Sequence, residues 1–258
     1  MGEKIMTTLL NPTRFSGIGL HSGEVVNVML RPSNNGITIN NIQVNPETVK
    51  GSNLCTKVQN ISTIEHLMCA LFVLGIDNVK IDLDNDELPI LDGSANPFYE
   101  MLFGNLAFDD IKKDPIIITE SFKVQDEDKV ISVEPCNTFK VSVTTNFYDI
   151  QTAEYPNPSL SFLKARTFCF LKDIEEMQKN HLALGGSLNN AIVIDGSRIL
   201  NPDGLRTPNE LAKHKLIDFL GDLYAIQRPI KGHFKCYKPG HKLNNKMMLE
   251  VYNRFLKD

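Results

Sequence analysis

His214 and Asp218 stand four residues apart, and Asp222 follows after another four. On a helix that spacing stacks the side chains on one face. An imidazole and a carboxylate so placed can both reach one zinc ion at about 2.0–2.2 Å, as two of the three protein ligands of an open catalytic site. The same spacing also describes an i, i+4 ion pair or hydrogen bond on a solvated face. The neighbours weaken that second reading, because Leu211, Leu216, Ile217, Phe219, Leu220 and Leu223 leave little of the helix for water. A polar stripe on a buried helix has to be satisfied, and a metal satisfies it.

A third ligand must come from elsewhere, and His66 beside Glu65 offers a neutral imidazole. Such a His₂Asp set leaves a fourth position for water, whose pKa zinc lowers towards ~7, with Glu65 close enough to take the proton. Locally, Glu65 reads as well as the carboxylate that closes a capping box begun at Ser62. His241, in Tyr237-Lys-Pro-Gly-His241, is expected on a turn, where a rigid scaffold often presents catalytic groups, although a lone loop histidine is usually a surface residue. His21 lies among Gly17, Gly19 and Gly23, which either make turns or let backbone approach a ligand. Spacing alone reaches a zinc hydrolase of unknown substrate.

These residues need elements to hold them. Ser62, Glu65 and Gly75 bracket a helix over about 63–74 that is apolar nearly all round, and Thr207-Pro208-x-Glu210 starts another over about 208–224. A shorter helix is expected at Pro97 to Leu102. Strands are expected at 24–30, 79–83, 116–118, 130–133 and 139–145, bounded by Gly, Pro and Asn. Residues 167–196 read as strand, helix, strand, a βαβ insertion broken at Gly185-Gly186. The polar Lys112-Lys-Asp-Pro115 suits a linker, so a first α+β domain is expected over 1–111 and a second over 112–258. Strands followed by helices, twice, predict two layered α+β halves packed face to face.

The chain has 258 residues, 42% hydrophobic and 22% charged, which is the composition of a globular protein. A net charge of −4 offers no basic field for phosphates, which excludes nucleic acid as a partner. Five cysteines without a C-x-x-C pair argue for a reducing compartment and against a thiolate metal site. No apolar run follows Met1–Met6, and the longest, Met68 to Ile76, is about half of a membrane span. A cytoplasmic protein without a transmembrane segment is expected. No phosphate loop or G-x-G-x-x-G follows a strand, so nucleotide-binding folds of those kinds are unsupported.

Seven segments stand together in order: Phe15-Ser-Gly-Ile-Gly-Leu-His-Ser-Gly23, Ser62-Thr-Ile-Glu-His-Leu67, Leu74-Gly-Ile-Asp-Asn78, Glu87-Leu-Pro-Ile-Leu-Asp-Gly-Ser94, Ala165-Arg-Thr-Phe168, His214-Lys-x-x-Asp218 and Gly240-His241-x-Leu-Asn-Asn245. In them the chain resembles the UDP-3-O-acyl-N-acetylglucosamine deacetylases of bacterial lipid A synthesis, from near residue 12 to near 250. The resemblance implies an active site between two α+β domains and hydrolysis of the sugar's N-acetyl group, the family's committed step. It implies one zinc ion on His66, His214 and Asp218, with iron(II) suiting the same donors, and Glu65 as general base. It points to Thr167 and His241 as donors to the tetrahedral oxyanion, and to His241 as proton donor to the amine with Asp222 holding its ring. Phe168 would stack on the sugar. Lys215, Asp173, Lys238 and His21 match positions near the nucleotide-sugar in relatives.

The insertion would wall a passage for the acyl chain, using Phe168, Phe170, Leu171, Leu182, Leu184, Ala191 and Val193. A monomer is expected. Two departures stand out: the segment between Leu30 and Ser62 is short, and Cys169 takes a position where relatives often have glycine. Two rivals follow from the same residues. One is another zinc amidohydrolase or peptidase, which would use an open groove. The other is a non-catalytic relative, which should have lost at least one of the residues named.

Overall fold

Alternating residues fix the first sheet. In Val25–Pro32 and Val79–Leu83, the side chains of Val26, Val28, Leu30, Val79, Ile81 and Leu83 point inward and their neighbours outward. These strands lie antiparallel inside a five-stranded sheet, in the order Thr13–Ile18, Val25–Pro32, Val79–Leu83, Ile37–Ile39, Ile42–Gln43. The computed structural model describes residues 4–257. The outer ends of the two expected domains, 1–3 and 258, and the start of the Met1–Met6 stretch lie outside the described residues.

Lys4–Leu9 and Leu106–Lys113 form an antiparallel ribbon that carries the chain to the expected linker. Beyond it a second sheet is ordered Phe122–Asp126, Lys129–Glu134, Ile230–Tyr237, Phe139–Asn146, Ile150–Tyr155, with Ile116–Ile117 also pairing to Ile230–Tyr237. A small sheet of Val49–Gly51, Thr56–Val58 and Ile61–Ser62 occupies the short segment before the first helix.

The helices are α1 (Glu65–Leu74), α2 (Asn96–Leu102), α3 (Leu171–Lys179), α4 (Glu210–Leu223) and α5 (His241–Phe255). α1 packs on α4, while α4 also packs on Phe139–Asn146 and Ile150–Tyr155. One apolar core runs from Leu9 to Val251 through both sheets and α1, α2, α4 and α5. The architecture is α+β, as expected. The insertion is a βαβ unit: Phe168–Phe170 runs parallel to Ile192–Asp195 with α3 between them, and Arg198–Ile199 adds a third strand just beyond residue 196. Ile192, Ile194 and Leu211 form its own small core.

Three local expectations need correction. Ser62 ends a strand and Thr63 takes a φ of 61°, so α1 starts at Glu65 without a capping box; Gly75 does close it, at φ 74°. Likewise α4 starts at Glu210 after Asn209 at φ 56°, and the Thr207 hydroxyl caps nothing. In both cases the carboxylate expected in the cap bonds elsewhere, Glu65 accepting from the Thr56 N–H and Glu210 from the Arg166 guanidinium. Finally, His241 is not on a turn. It is the first residue of α5, whose Leu243, Met247, Met248 and Val251 face the core.

Candidate active site

α1 delivers Glu65 and His66 from its first turn, and α4 delivers His214, Asp218 and Asp222 from successive turns of one face. All five are at least nine-tenths buried, which removes the solvated ion-pair reading of the α4 stripe. The helices meet at Gly221, where an added Cβ would lie 2.1 Å from the Glu65 carbonyl oxygen and 3.2 Å from the Cys69 nitrogen. A side chain there would hold the two halves of the site apart.

Asp218 Oδ1 faces His214 Nε2 at 3.3 Å and His66 Nε2 at 3.8 Å, with the two rings edge to face at 5.0 Å. One ligand atom from each residue falls within 4.8 Å of the others. Ligands about 2.1 Å from a shared tetrahedral ion are separated by roughly 3.4 Å, so the spacing fits. Asp218 Oδ1 is buried with no hydrogen-bond donor, an unsatisfied anionic oxygen that a cation would satisfy. Its other oxygen accepts from Lys215 Nζ at 2.7 Å. His214 Nδ1 donates to the Ala165 carbonyl at 3.2 Å, which leaves the Nε2 lone pair for a metal.

Burial pushes the imidazoles of His66 and His214 down to about 4 and about 3, so both are neutral ligands at neutral pH. For Asp218, burial acts the other way, but His214, Lys215, His241 and His66 together hold the carboxyl well below its usual range.

Beside this set, His241 Nε2 lies 3.7 Å from Glu65 Oε1 and 3.8 Å from Asp218 Oδ2, and its Nδ1 donates to Asp222 Oδ2 at 2.9 Å. Burial raises the Glu65 carboxyl to about 7. For His241, burial lowers the imidazole, but Asp222, Asp218 and Glu65 outweigh it and raise the ring to about 9. The pair is therefore a carboxylate able to accept a proton next to an imidazolium able to give one.

Sequence reasoning missed Thr56, which joins both partners. Its N–H donates to Glu65 Oε2 at 3.0 Å and its hydroxyl to Asp222 Oδ1 at 2.6 Å. Asn244 Nδ2, from α5, also donates to Asp222 Oδ2, at 2.8 Å. Gly51 admits the His241 backbone, since a Cβ there would meet the His241 carbonyl oxygen at 2.0 Å. Neither Thr56 nor Gly51 sits in a periodic pattern. Only their place in the small sheet brings them here.

The segment 165–168 is pinned by a buried ion pair. Arg166, 1% exposed, donates from Nε to Glu210 Oε1 at 3.0 Å and from Nη2 to the Gly204 carbonyl at 2.6 Å. Thr167 donates its N–H to Gly93 O at 2.8 Å and accepts from Ile192 N at 2.8 Å. These bonds set Ala165 O under His214. They also bring Phe168 to 6.0 Å from the His214 ring and 5.3 Å from Lys215 Nζ.

A cavity of about 400 Å³ begins at Thr167, Phe168 and His21 and continues into the insertion past Cys169, Leu171, Ala191 and Val193. Of the side chains expected to wall an apolar passage, Phe168, Leu171, Ala191 and Val193 line it. Leu182 does not reach its lining, Phe170 packs against the insertion's own core and Leu184 is half exposed. Cys169 is part of one wall of the cavity. His21 is held by Glu87, which accepts from the His21 N–H, the Ser22 N–H and the Thr63 hydroxyl at 2.9, 2.9 and 3.1 Å. Of its glycines, Gly19 makes room for these side chains, since a Cβ there would strike Glu87 and Ser22, at 2.4 and 2.3 Å. Asp173 is exposed in the first turn of α3, and Lys238 pairs with Asp128. Among the described contacts, none joins either of them to the cluster.

The profile of the UDP-3-O-acyl N-acetylglycosamine deacetylase family matches residues 6–253. Similar proteins include UDP-3-O-acyl-N-acetylglucosamine deacetylases of Haemophilus influenzae strain PittEE, 43% identical over 95% of this chain and 88% of the relative, and of Mannheimia succiniciproducens, 42% identical over 93% and 88%. The corresponding enzyme of Methylococcus capsulatus is 41% identical over 95% and 88%.

Proposed function

Because this chain belongs to the UDP-3-O-acyl N-acetylglycosamine deacetylase family, we propose that it hydrolyses UDP-3-O-acyl-N-acetylglucosamine to UDP-3-O-acyl-glucosamine and acetate, in lipid A biosynthesis. The observation that carries this is the convergence of His66, His214 and Asp218 next to the Glu65–His241 pair, with Phe168, from the lining of an apolar cavity, 6.0 Å from the His214 ring. A degenerate binding protein would not keep that set intact. A peptidase would use an open groove, and activity on a substrate lacking the acyl chain would favour that rival.

His66, His214 and Asp218 would hold one divalent ion, which we take to be zinc; iron(II) suits the same two nitrogens and one oxygen. When bound, the ion supplies the Lewis-acid charge that makes a water acidic and polarises the acetamide carbonyl. Glu65, ionised, takes the proton of the attacking water. The Thr167 hydroxyl and the His241 imidazolium face the developing oxyanion and donate to it. His241 then gives its Nε2 proton to the departing amine, while Asp222 keeps the ring oriented through Nδ1 and favours its charged form. Phe168 stacks on the sugar, and Lys215, His21, Asp173 and Lys238 meet the nucleotide-sugar and its phosphates. The acyl chain enters the insertion's cavity. The same reading divides the chain into 1–111 and 112–258 with the site between them, and takes the enzyme as a cytoplasmic monomer. No helix among the described residues is long and apolar enough to cross a membrane.

The test is acetate release from the acylated UDP-sugar before and after chelation, with metal add-back, alongside Glu65→Ala and His241→Ala. Expected are loss on chelation, recovery with zinc, and drops of at least about a hundredfold in both variants. No acetate from the metal-loaded wild type would overturn the assignment.

A further inference from the structure

α4 has a second functional-looking face. Leu220 and Leu223 project opposite His214, Asp218 and Asp222 and wall a separate cavity of about 430 Å³, within the roughly 300–1,000 Å³ of small-molecule sites. Its floor is aromatic. The Phe72 ring lies 5.6, 5.4 and 5.5 Å from the rings of Phe139, Tyr155 and Tyr224, inclined at 61°, 57° and 75°. Inclined rings give edges and gaps, which suit a flexible chain better than a planar base that needs parallel faces.

The polar lining is of one sign. Lys113, Arg228 and Lys231 contribute to it and no Asp or Glu does. Lys113 donates to Gln227 O at 2.9 Å and stands 3.9 Å from Asp77, and Arg228 Nε donates to Asp114 O at 2.9 Å. Lys113 is thus paired with Asp77, while the Asp114 carbonyl orients the Arg228 guanidinium without neutralising it. The substrate-side cavity, by contrast, has no lysine or arginine in its lining.

We propose that this second cavity binds a single-chain amphipathic carboxylate, of the fatty-acid class. Its alkyl chain lies over Phe72, Phe139 and Tyr155, and its carboxylate pairs with Arg228 and Lys231.

Decanoate is the probe, titrated calorimetrically into the metal-loaded full chain, with 1-decanol as the uncharged control. The substrate cavity also accepts chains, so Ala191→Phe is used to fill it. Two further variants, Thr138→Trp and the double variant Arg228→Glu/Lys231→Glu, alter the second cavity only. Decanoate is expected to bind wild type and Ala191→Phe alike, at least about tenfold more tightly than 1-decanol. Affinity should fall at least about tenfold in both second-cavity variants, whose retained acetate release reports intact folding. Binding lost in Ala191→Phe but kept in the other two would put the chain in the substrate cavity and overturn the proposal. Equal affinity for decanol, or sedimentation as a dimer that Thr138→Trp abolishes, would overturn it too, the latter assigning the surface to a second copy of the chain.

Discussion

Gly221 of α4 and Glu65 of α1 touch through backbone: a methyl group on Gly221 would stand 2.1 Å from the Glu65 carbonyl oxygen. That contact sets the distance between the two helices that share the proposed metal ligands. Gly221→Ala meets no rotatable group, so α4 must move, at about 1–3 kcal/mol for overpacking. We expect metal content after dialysis, read by elemental analysis, to fall together with at least about a tenfold loss of kcat. A variant with full metal and full activity would show that the close approach is incidental.

The Glu65–His241 pair predicts a bell-shaped dependence of kcat/KM on pH. Glu65 must be ionised, so activity rises through about 7, or lower once a cation beside it favours the carboxylate. His241 must be protonated, so activity falls through about 9. The two values belong to the pair rather than to either residue alone. His241→Gln should erase the alkaline limb and Glu65→Gln the acid one. An alkaline limb unmoved in His241→Gln would assign proton donation to another group.

Thr56→Val keeps the backbone donor to Glu65 and deletes the hydroxyl donor to Asp222. A hydrogen bond to a charged group is worth about 1.5–3 kcal/mol, and Asp222 retains Asn244 and His241. We therefore expect kcat to fall about tenfold with KM unchanged, a shift of the alkaline limb, and recovery in Thr56→Ser. Equal losses in the valine and serine variants would point to packing instead.

Arg166 and Glu210 are buried together. Removing one partner leaves an uncompensated charge, so Arg166→Met should cost about 3–5 kcal/mol in urea unfolding, and Arg166→Met/Glu210→Leu should regain most of it. If the double variant is no better than the single, the ion pair is not the source of the loss.

Acid should strip and weaken the enzyme in one window. His66 and His214 have folded pKa values of about 4 and about 3, below the unfolded value near 6.5. The unfolded chain therefore takes up protons first, and their contribution to stability is present above about 6.5 and lost as pH falls towards 4. Bound metal deepens the effect, because protons compete for the same nitrogens. Thermal melts from pH 7 to 4, with and without chelator, should converge at the acid end. Parallel curves offset by a constant amount would count against ligation by these histidines.

What was legible in the sequence was what periodicity and order could carry. The i, i+4 stripe on α4, the apolar α1 beside it and the βαβ insertion all sit on local pattern, and the ordered segments tied them to one family. The caps were misread because a carboxylate three residues into a helix looks the same whether it bonds its own backbone or, like Glu210, a guanidinium 44 residues away. The helix that begins at His241 was passed over because Pro239-Gly240 signals a turn, although Leu243, Met247 and Val251 at helical spacing were there to be seen. Thr56, Gly51 and Gly221 were out of reach because each acts on a neighbour brought to it by the fold, in the case of Gly51 and His241 from 190 positions away.

The core that runs unbroken from Leu9 to Val251 also bears on how such a protein can be inherited. α1 and α4 come from opposite halves of the chain yet pack against each other. A fragment encoding either half alone would expose that contact and specify no folded product. The two halves can diverge in their loops and insertions, but neither can be exchanged, lost or recruited elsewhere without the other.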